Sequence, residues 1–268
     1  MSSPNHLVKG VCLLGLVAAV SPVQGQTFLP DPVDEVTFTI QWEKPLLANA
    51  SGVAFYSSIL EPDLLLPAGP GKTVQIGIPL AVAGGDAVDG TSLALANARV
   101  SVLFGDPDDL RGFVGVTLPT VSNVSGPGYV AQVVGSLPWL SVPEKWMEDA
   151  FSARGAWIPS KRLENGGQIG LRVGATALMP TGLENLWVLT RLAGWGRFAL
   201  GSAELRADLD TSYHLTGDDG FGQQFTSYLA LGIGFKESAT KPTIFLRLPL
   251  DGDARRWLDY SIGVSMVF

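Results

Sequence analysis

The chain has 268 residues, of which 46% are hydrophobic and only 16% are charged, with a formal net charge of −7. This composition argues against a disordered or a nucleic-acid-binding chain, because it is too hydrophobic and too poor in charge for either class. After the N-terminal segment, Gly, Pro or a charged residue interrupts every apolar run before about 18 residues, which excludes a helical membrane protein. The 32 glycines and 18 prolines predict short strands and turns in one all-β domain.

The N-terminal segment is typical of a secretory signal peptide. Residues 1–10 carry a lysine and no acid, residues 11–20 form a short apolar core, and small side chains precede a cleavage point before Gln26. The apolar core is too short for a transmembrane helix. We therefore expect a signal peptide at 1–25 and one domain over 26–268.

Export limits how the mature chain can be stabilised. Cys12 is the only cysteine of the sequence, and it precedes most of the apolar core, which disfavours a lipid anchor. A mature chain without cysteine has no disulfides, so it must be stabilised by a large core, a closed sheet or lipid.

Twelve segments have the composition of β-strands. In the first, Val36, Phe38, Ile40 and Trp42 alternate with polar residues, which is the period of two that a strand requires. A tight turn is predicted at residues 194–196, because two glycines flank a tryptophan there. The predicted strands are 35–43, 51–60, 72–82, 92–104, 112–119, 128–137, 168–178, 185–193, 198–215, 222–236, 243–250 and 256–268.

Each strand of the second half keeps one apolar face, and the last strand decides what covers that face. Leu258, Tyr260, Ile262, Val264, Met266 and Phe268 alternate with smaller or polar residues, and the sequence ends on the phenylalanine. Outer-membrane barrels end their closing strand with an aromatic residue at the interface between membrane and water. The predicted insertion signal for the barrel-assembly machinery consists of Ser261, Gly263, Met266 and Phe268.

These patterns predict a transmembrane antiparallel up-and-down β-barrel of about 12 strands, with 10 to 14 possible and both ends of the chain in the periplasm. A secreted sandwich is the weaker alternative. The segment 139–166 departs from the strand pattern. Ser141 and Glu144 could form a capping box there, so we expect a short helix near 141–153 on the periplasmic side, or a strand count that is wrong by one.

Polar residues on the other face would line the barrel interior. If their charges pair completely the lumen is plugged, and if a gap remains it is a narrow channel; we expect partial occlusion. The predicted lumen-lining residues are Arg172, Arg191, Glu204, Arg206, Asp208, Asp210, His214, Tyr228, Lys236 and Arg247.

Aromatic residues at predicted strand ends are expected to form girdles at the lipid interface, which makes outer-membrane lipid a partner. Stacking against a ligand is the weaker interpretation. The predicted girdle residues are Trp42, Trp187, Trp195, Trp257 and Tyr260.

Catalytic patterns are weak. The sequence at 68–73 resembles a phosphate loop, but Leu66 occupies the position of its first glycine. His214 is the only histidine after the signal segment, and Ser212 is about 7 Å along the same strand face. We therefore expect no enzyme activity, no cofactor and no metal, and no nucleic-acid partner.

Two predicted strands end in related sequences, VGVTLPT at 114–120 and ATALMPTG at 175–182. They resemble the outer-membrane transporter family associated with the meta-pathway of phenol degradation, whose strands end in Leu-Pro-Thr-Gly. The resemblance implies passive uptake of small, hydrophobic or aromatic solutes in the cell outer membrane. A structural barrel with a plugged lumen, and a membrane-embedded hydrolase using His214, are the alternatives.

Overall fold

A computed structural model describes residues 29–48, 55–85, 88–107, 109–121, 127–139, 142–164, 166–180, 186–216, 225–252 and 254–268. The predicted signal peptide at 1–25 lies outside the described residues. The strands are β1 Thr37–Leu47, β2 Phe55–Pro67, β3 Lys72–Gly77, β4 Leu80–Gly85, β5 Val88–Leu95, β6 Ala98–Asp106, β7 Asp109–Leu118, β8 Ala150–Trp157, β9 Ser160–Arg162, β10 Gln168–Pro180, β11 Trp187–Leu200, β12 Ala203–Thr216, β13 Phe225–Phe235, β14 Thr243–Pro249 and β15 Leu258–Val267. The helix α1 spans Pro127–Ser136, and single 3-10 turns occur at Leu137–Trp139, Pro143–Lys145 and Ala254–Arg256.

Twelve antiparallel strands close into a barrel, which confirms the predicted fold class. Their order around the barrel is β1, β15, β14, β13, β12, β11, β10, β8, β7, β6, β3 and β2, and β2 pairs with β1. The final residue completes the closure, because Phe268 and Phe38 exchange both backbone hydrogen bonds, at 2.8 and 3.0 Å. A closed sheet leaves no unpaired edge in lipid, where each unpaired backbone group would cost several kcal/mol.

Three short strands lie outside this ring of twelve. The strands β4 and β5 continue β3 and β6 past breaks at Pro79 and Asn97, and they form a hairpin that pairs with the first half of β2. The strand β9 adds three residues to the start of β10. Of the described residues, no helix has the length and apolar composition needed to cross a bilayer.

The predicted strand at 128–137 is wrong, because this segment is the helix α1. Pro127 begins the helix, where its missing N–H costs nothing, and Ala131 and Val134 pack together on Ala83 and Ala94. The sixth barrel strand is instead β8. One predicted strand is therefore lost and one is gained, which leaves the count of twelve correct.

The helix expected near 141–153 is reduced to the 3-10 turn Pro143–Lys145, and β8 begins at Ala150. The Ser141 half of the proposed capping box lies outside the described residues. The segment 119–149 also lies at the other end of the barrel from the one predicted, because it joins the fifth strand to the sixth rather than the sixth to the seventh. We call the end that holds the start of β1 and the end of β15 the terminal end, and the opposite end the distal end.

Alternation along the strands separates an apolar outer face from a polar inner face, as predicted. Leu192, Ile233 and Ile244 are exposed on the outside, whereas Thr39, Gln41 and Glu43 of β1 are buried on the inside. Leu258 differs from its prediction, because an irregular register opposite Leu46 and Leu47 turns it inward. There it packs against Tyr228 and Ala254.

The tight turn predicted at 194–196 is also wrong, because β11 continues through these residues and the chain turns at Gly201. The indole of Trp195 covers Gly170 on the neighbouring strand, so closely that a Cβ at position 170 would lie 2.5 Å from the ring. Glycine at position 170 makes room for this large inward side chain.

Candidate functional site in the barrel interior

Predicted inward residues of β10 and β12 take part in two ion-pair groups on the barrel wall. Arg172 lies 3.4 Å from both Asp208 and Asp210, measured between the guanidinium nitrogen and the carboxylate oxygens. Glu204 accepts from Arg206 at 2.7 Å and from Lys236 at 2.6 Å. Lys236, which follows β13, is the exposed member of the second group, with its ammonium at the terminal end. These side chains brace the inner wall on one side of the barrel.

A second network, on β2 and β6, has no counterpart in the sequence prediction. Both arms of the Arg99 guanidinium contact carboxylates at 2.5 Å, one on Glu61 and one on Asp63. The ammonium of Lys145 lies 2.7 Å from the same Glu61 oxygen. The sequence contains one sign of this network, because Glu61 and Asp63 alternate with apolar residues on β2. On the neighbouring strands, small residues obscure the same alternation.

Two predicted lumen residues anchor a segment that folds into the barrel. The Tyr228 hydroxyl donates to the Leu137 carbonyl at 2.8 Å, and Arg247 donates to the Pro138 carbonyl at 3.0 Å. Both carbonyls follow α1, where helix C-terminal carbonyls need partners. Arg247 also contacts Glu43, which accepts a hydrogen bond from Ser261. Ser261, predicted as part of the insertion signal, therefore has an inward side chain.

We call residues 127–139 and 142–149 the distal plug. Its two halves are joined because Gln132 donates to the Trp146 carbonyl at 2.7 Å, and the Trp146 indole lies over Gly135. Asn97 attaches the plug to the wall by donating from its backbone to the Lys145 carbonyl at 2.7 Å. The plug therefore occupies the distal end of the lumen as a folded unit bound by side chains of several strands.

Residues just before β1 lie inside the terminal end of the barrel, and no sequence pattern predicted this position. We call residues 29–36 the strap. Asp31 is buried and forms a two-pronged ion pair with Arg197, at 2.6 and 3.1 Å. The Val33 amide donates to Thr73 at 2.7 Å, near the start of β3. Leu29 reaches farther in, because it lines a central cavity together with Arg99.

The central cavity lies between the strap and the distal plug and has a volume of about 70 Å³. A smaller cavity of about 30 Å³ lies beside Asp31 and Trp195, and Leu29 and Arg172 border both. These volumes hold a few water molecules, so an aromatic solute enters only if a neighbouring segment moves. The central cavity is lined by Leu29, Arg99, Phe113, Val142, Lys145, Arg154, Gly155, Ala156, Arg172, Gly174, Ala175, Thr176, Arg191 and Asp210.

Lys145 is the ionisable group of the plug with a displaced pKa. Burial lowers its pKa from 10.5 to about 7. The Glu61 carboxylate opposes this shift, and the positive charges of Arg99 and Arg154 add to it. The charge on one wall of the central cavity therefore changes near neutral pH.

Three of the predicted girdle residues have exposed side chains, and the other two, Trp187 and Trp195, are turned inward. Trp42, Trp257 and Tyr260 are exposed. Trp187 lies opposite inward-facing Leu178 and is buried beside it. Trp195 lies opposite Asp208, within 5.3 Å of the Arg197 guanidinium. Proximity to a strand end does not fix the face, because the alternation of the strand decides it.

The serine and the aspartate that share the inner face of β12 with His214 are bound to other residues. His214 is half-buried opposite Leu189. Ser212 shares a 2.6 Å hydrogen bond with Thr226, and Asp210 contacts Arg172. Among the described residues, no group of three or more histidine, cysteine or carboxylate side chains is arranged to hold a metal.

Comparison with known proteins identifies the fold. No protein-family model matches the chain, and no curated protein matches it. Among solved structures, the chain is similar to the COG4313 outer membrane channel from Pseudomonas putida F1, with a TM-score of 0.57 and 14% identity over 88% of this chain and 98% of that one. LpxR from Salmonella typhimurium is matched at a TM-score of 0.48 and 10% identity over 87% of this chain and 99% of that one. The chain thus has the fold of an outer-membrane β-barrel.

Proposed function

We propose that the protein is a passive channel of the cell outer membrane for small solutes, with its path closed in this structure by the strap and the distal plug. The main observation in support of this function is that noncovalent contacts hold both segments inside a closed barrel, with a cavity between them. Segments held in this way can move without breaking the barrel wall, because the backbone hydrogen bonds that pair one barrel strand with the next do not involve them.

The outer face supports this location, because it is an apolar surface that lipid would cover. The short turns at 68–71 and 201–202 belong to the terminal end, which is therefore assigned to the periplasm, where turns are short. Cleavage of residues 1–25 and insertion by the barrel-assembly machinery through β15 are parts of the same proposal.

The solutes we propose are small and at least partly hydrophobic or aromatic. An apolar cluster on the inner wall supports this choice. It lies on one side of the lumen and contacts the strap through Val33 and Leu29. Its wall residues are Leu65, Leu103, Leu110, Phe113 and Ile158.

A structural barrel with a permanently plugged lumen is the second candidate. The observation that favours it is the buried network of Arg99, Glu61, Asp63 and Lys145, which ties the plug to the wall. Breaking such a buried pair costs about 3 to 5 kcal/mol, so a plug held by it would open rarely.

Conductance of refolded protein in planar bilayers separates the two candidates. Asp31→Asn removes the carboxylate that pairs with Arg197, so the strap should leave the lumen more often. Because the path opens only when the strap and the distal plug are both displaced, the open probability should rise in proportion to strap release, about tenfold or more over wild type. The double variant Asp31→Arg with Arg197→Asp restores an ion pair and should return conductance toward the wild-type level. If neither wild type nor Asp31→Asn conducts above the bare bilayer, the channel proposal is wrong and the structural barrel is favoured.

A further inference from the structure

We propose that the central cavity is a binding subsite for an organic anion, in which a carboxylate lies among Arg154, Arg172 and Arg191 and an apolar body takes the place of the Leu29 side chain. The inference rests on the proposed function, because it assigns a class of solute to the same path. It predicts that aromatic carboxylates are preferred over neutral and cationic aromatic molecules of the same size.

The first observation in support of an anion site is the charge of the cavity wall. Five cationic side chains line the cavity, whereas Asp210 is the one carboxylate among its lining residues in the described part of the chain. The other carboxylates that bind these cations, Glu61 and Asp63 on Arg99 and Asp208 on Arg172, do not line the cavity. An anion that enters would therefore meet mainly positive charge at short range, in surroundings that screen charge less than water does.

Arginine geometry carries the second step. Arg154 comes from β8, Arg172 from β10 and Arg191 from β11, so three adjacent strands each supply one arginine to the cavity lining. Gly174 lies opposite Arg191 in the β10–β11 register and also lines the cavity. Guanidinium groups bind carboxylates through paired hydrogen bonds, which these arginines can donate to a carboxylate inside the cavity.

The third observation in support of the subsite is the position of Leu29. Its side chain packs against the apolar cluster of the inner wall, and it borders both cavities. Moving Leu29 aside would join the two cavities, one lined by Phe113 and the other by Leu110. The strap thus holds an apolar group where the ring of an aromatic carboxylate would lie, so solute binding and strap displacement are coupled.

Equilibrium dialysis of the refolded mature barrel in detergent tests the proposal with three probes: benzoate, benzamide and benzylammonium. Benzoate should bind about ten- to a hundredfold more tightly than benzamide, the range expected for hydrogen bonds to charged groups. Benzylammonium should bind no better than benzamide. Equal affinity for benzoate and benzamide would overturn the proposal, and this comparison needs no variant protein.

Variants then locate the site. Arg191→Met should weaken benzoate binding about tenfold or more, while Arg191→Lys, which keeps the charge, should retain most of it. Leu29→Ala should strengthen binding because the ring no longer displaces a side chain. The matched control is Arg111→Met, since Arg111 is an exposed arginine outside the cavity, and it should leave benzoate binding unchanged. Equal losses in Arg191→Met and Arg111→Met would refute this location.

The conductance and binding experiments can refute the channel and the anion subsite independently of each other. A barrel that conducts but binds benzoate no better than benzamide keeps the channel and removes the anion subsite. A barrel that prefers benzoate and never conducts keeps the subsite and removes the channel.

Discussion

Lys145 lies where three elements meet, with Glu61 of β2, Arg99 of β6 and Arg154 of β8 as its charged neighbours. Residue types alone do not show this environment. The sequence places Lys145 in an irregular segment, and only the inward fold of that segment buries its ammonium. The same holds for Asp31, whose partner Arg197 is 166 positions away in the sequence. Long-range ion pairs of this kind leave no local pattern.

The lowered pKa of Lys145 predicts how stability depends on pH. Below about pH 7 the folded and unfolded chains both carry the proton, so the cost of burying the charge is fully present. Between pH 7 and 10.5 the unfolded chain keeps a proton that the folded chain has released. The free energy of unfolding of wild type, measured in urea relative to Lys145→Met, should therefore rise with pH across this window.

The control for this measurement is Lys161→Met, because Lys161 is exposed on β9. Its difference from wild type should stay constant over the same pH range. A Lys145→Met difference that is equally flat would contradict the pKa assignment.

At the scale of elements, strands and plugs differ in how far the sequence predicts them. Strands such as β12 and β14 follow from alternation alone, since one face must meet lipid and the other the interior. The helix α1 has no such two-sided pattern. Its residues Val130, Val133 and Val134 favour a strand by propensity, and only packing on the small residues Ala83 and Ala94 makes the helix the better structure.

The hydrogen bond between Tyr228 and Leu137 gives a test of plug attachment. Tyr228→Phe removes the donor to the carbonyl that follows α1, which should cost about 1 kcal/mol of local stability. Hydrogen exchange of the α1 amides should then be about fivefold faster than in wild type. Tyr260→Phe is the control, because Tyr260 is exposed. Identical α1 exchange in the two variants would show that this bond does not hold the plug.

At the scale of the whole molecule, the barrel turns the usual arrangement of a protein inside out. Leu192, Leu205 and Ile262 are exposed, while Glu43 and Glu61 are almost completely buried. A lipid shell removes the cost of the exposed apolar face, and ion pairs reduce the cost of the buried charges. Neither arrangement is favourable in water alone.

The barrel should therefore stay folded only in detergent or lipid. Refolded protein should migrate differently on a gel before and after heating when detergent is present, and it should aggregate when detergent is removed. A monodisperse, folded chain in plain buffer would contradict the lipid-covered outer face.

The sequence by itself determined the barrel, the approximate strand positions and the face to which most side chains point, because alternation along a strand is a local property that lipid and a closed sheet make obligatory. Only the tertiary structure decided what fills the lumen. The strap, the distal plug and the cationic cavity between them depend on contacts between residues far apart in sequence, such as Asp31 with Arg197 and Lys145 with Glu61. Such contacts form only when barrel closure brings distant strands together. They leave no pattern in the sequence of any single strand.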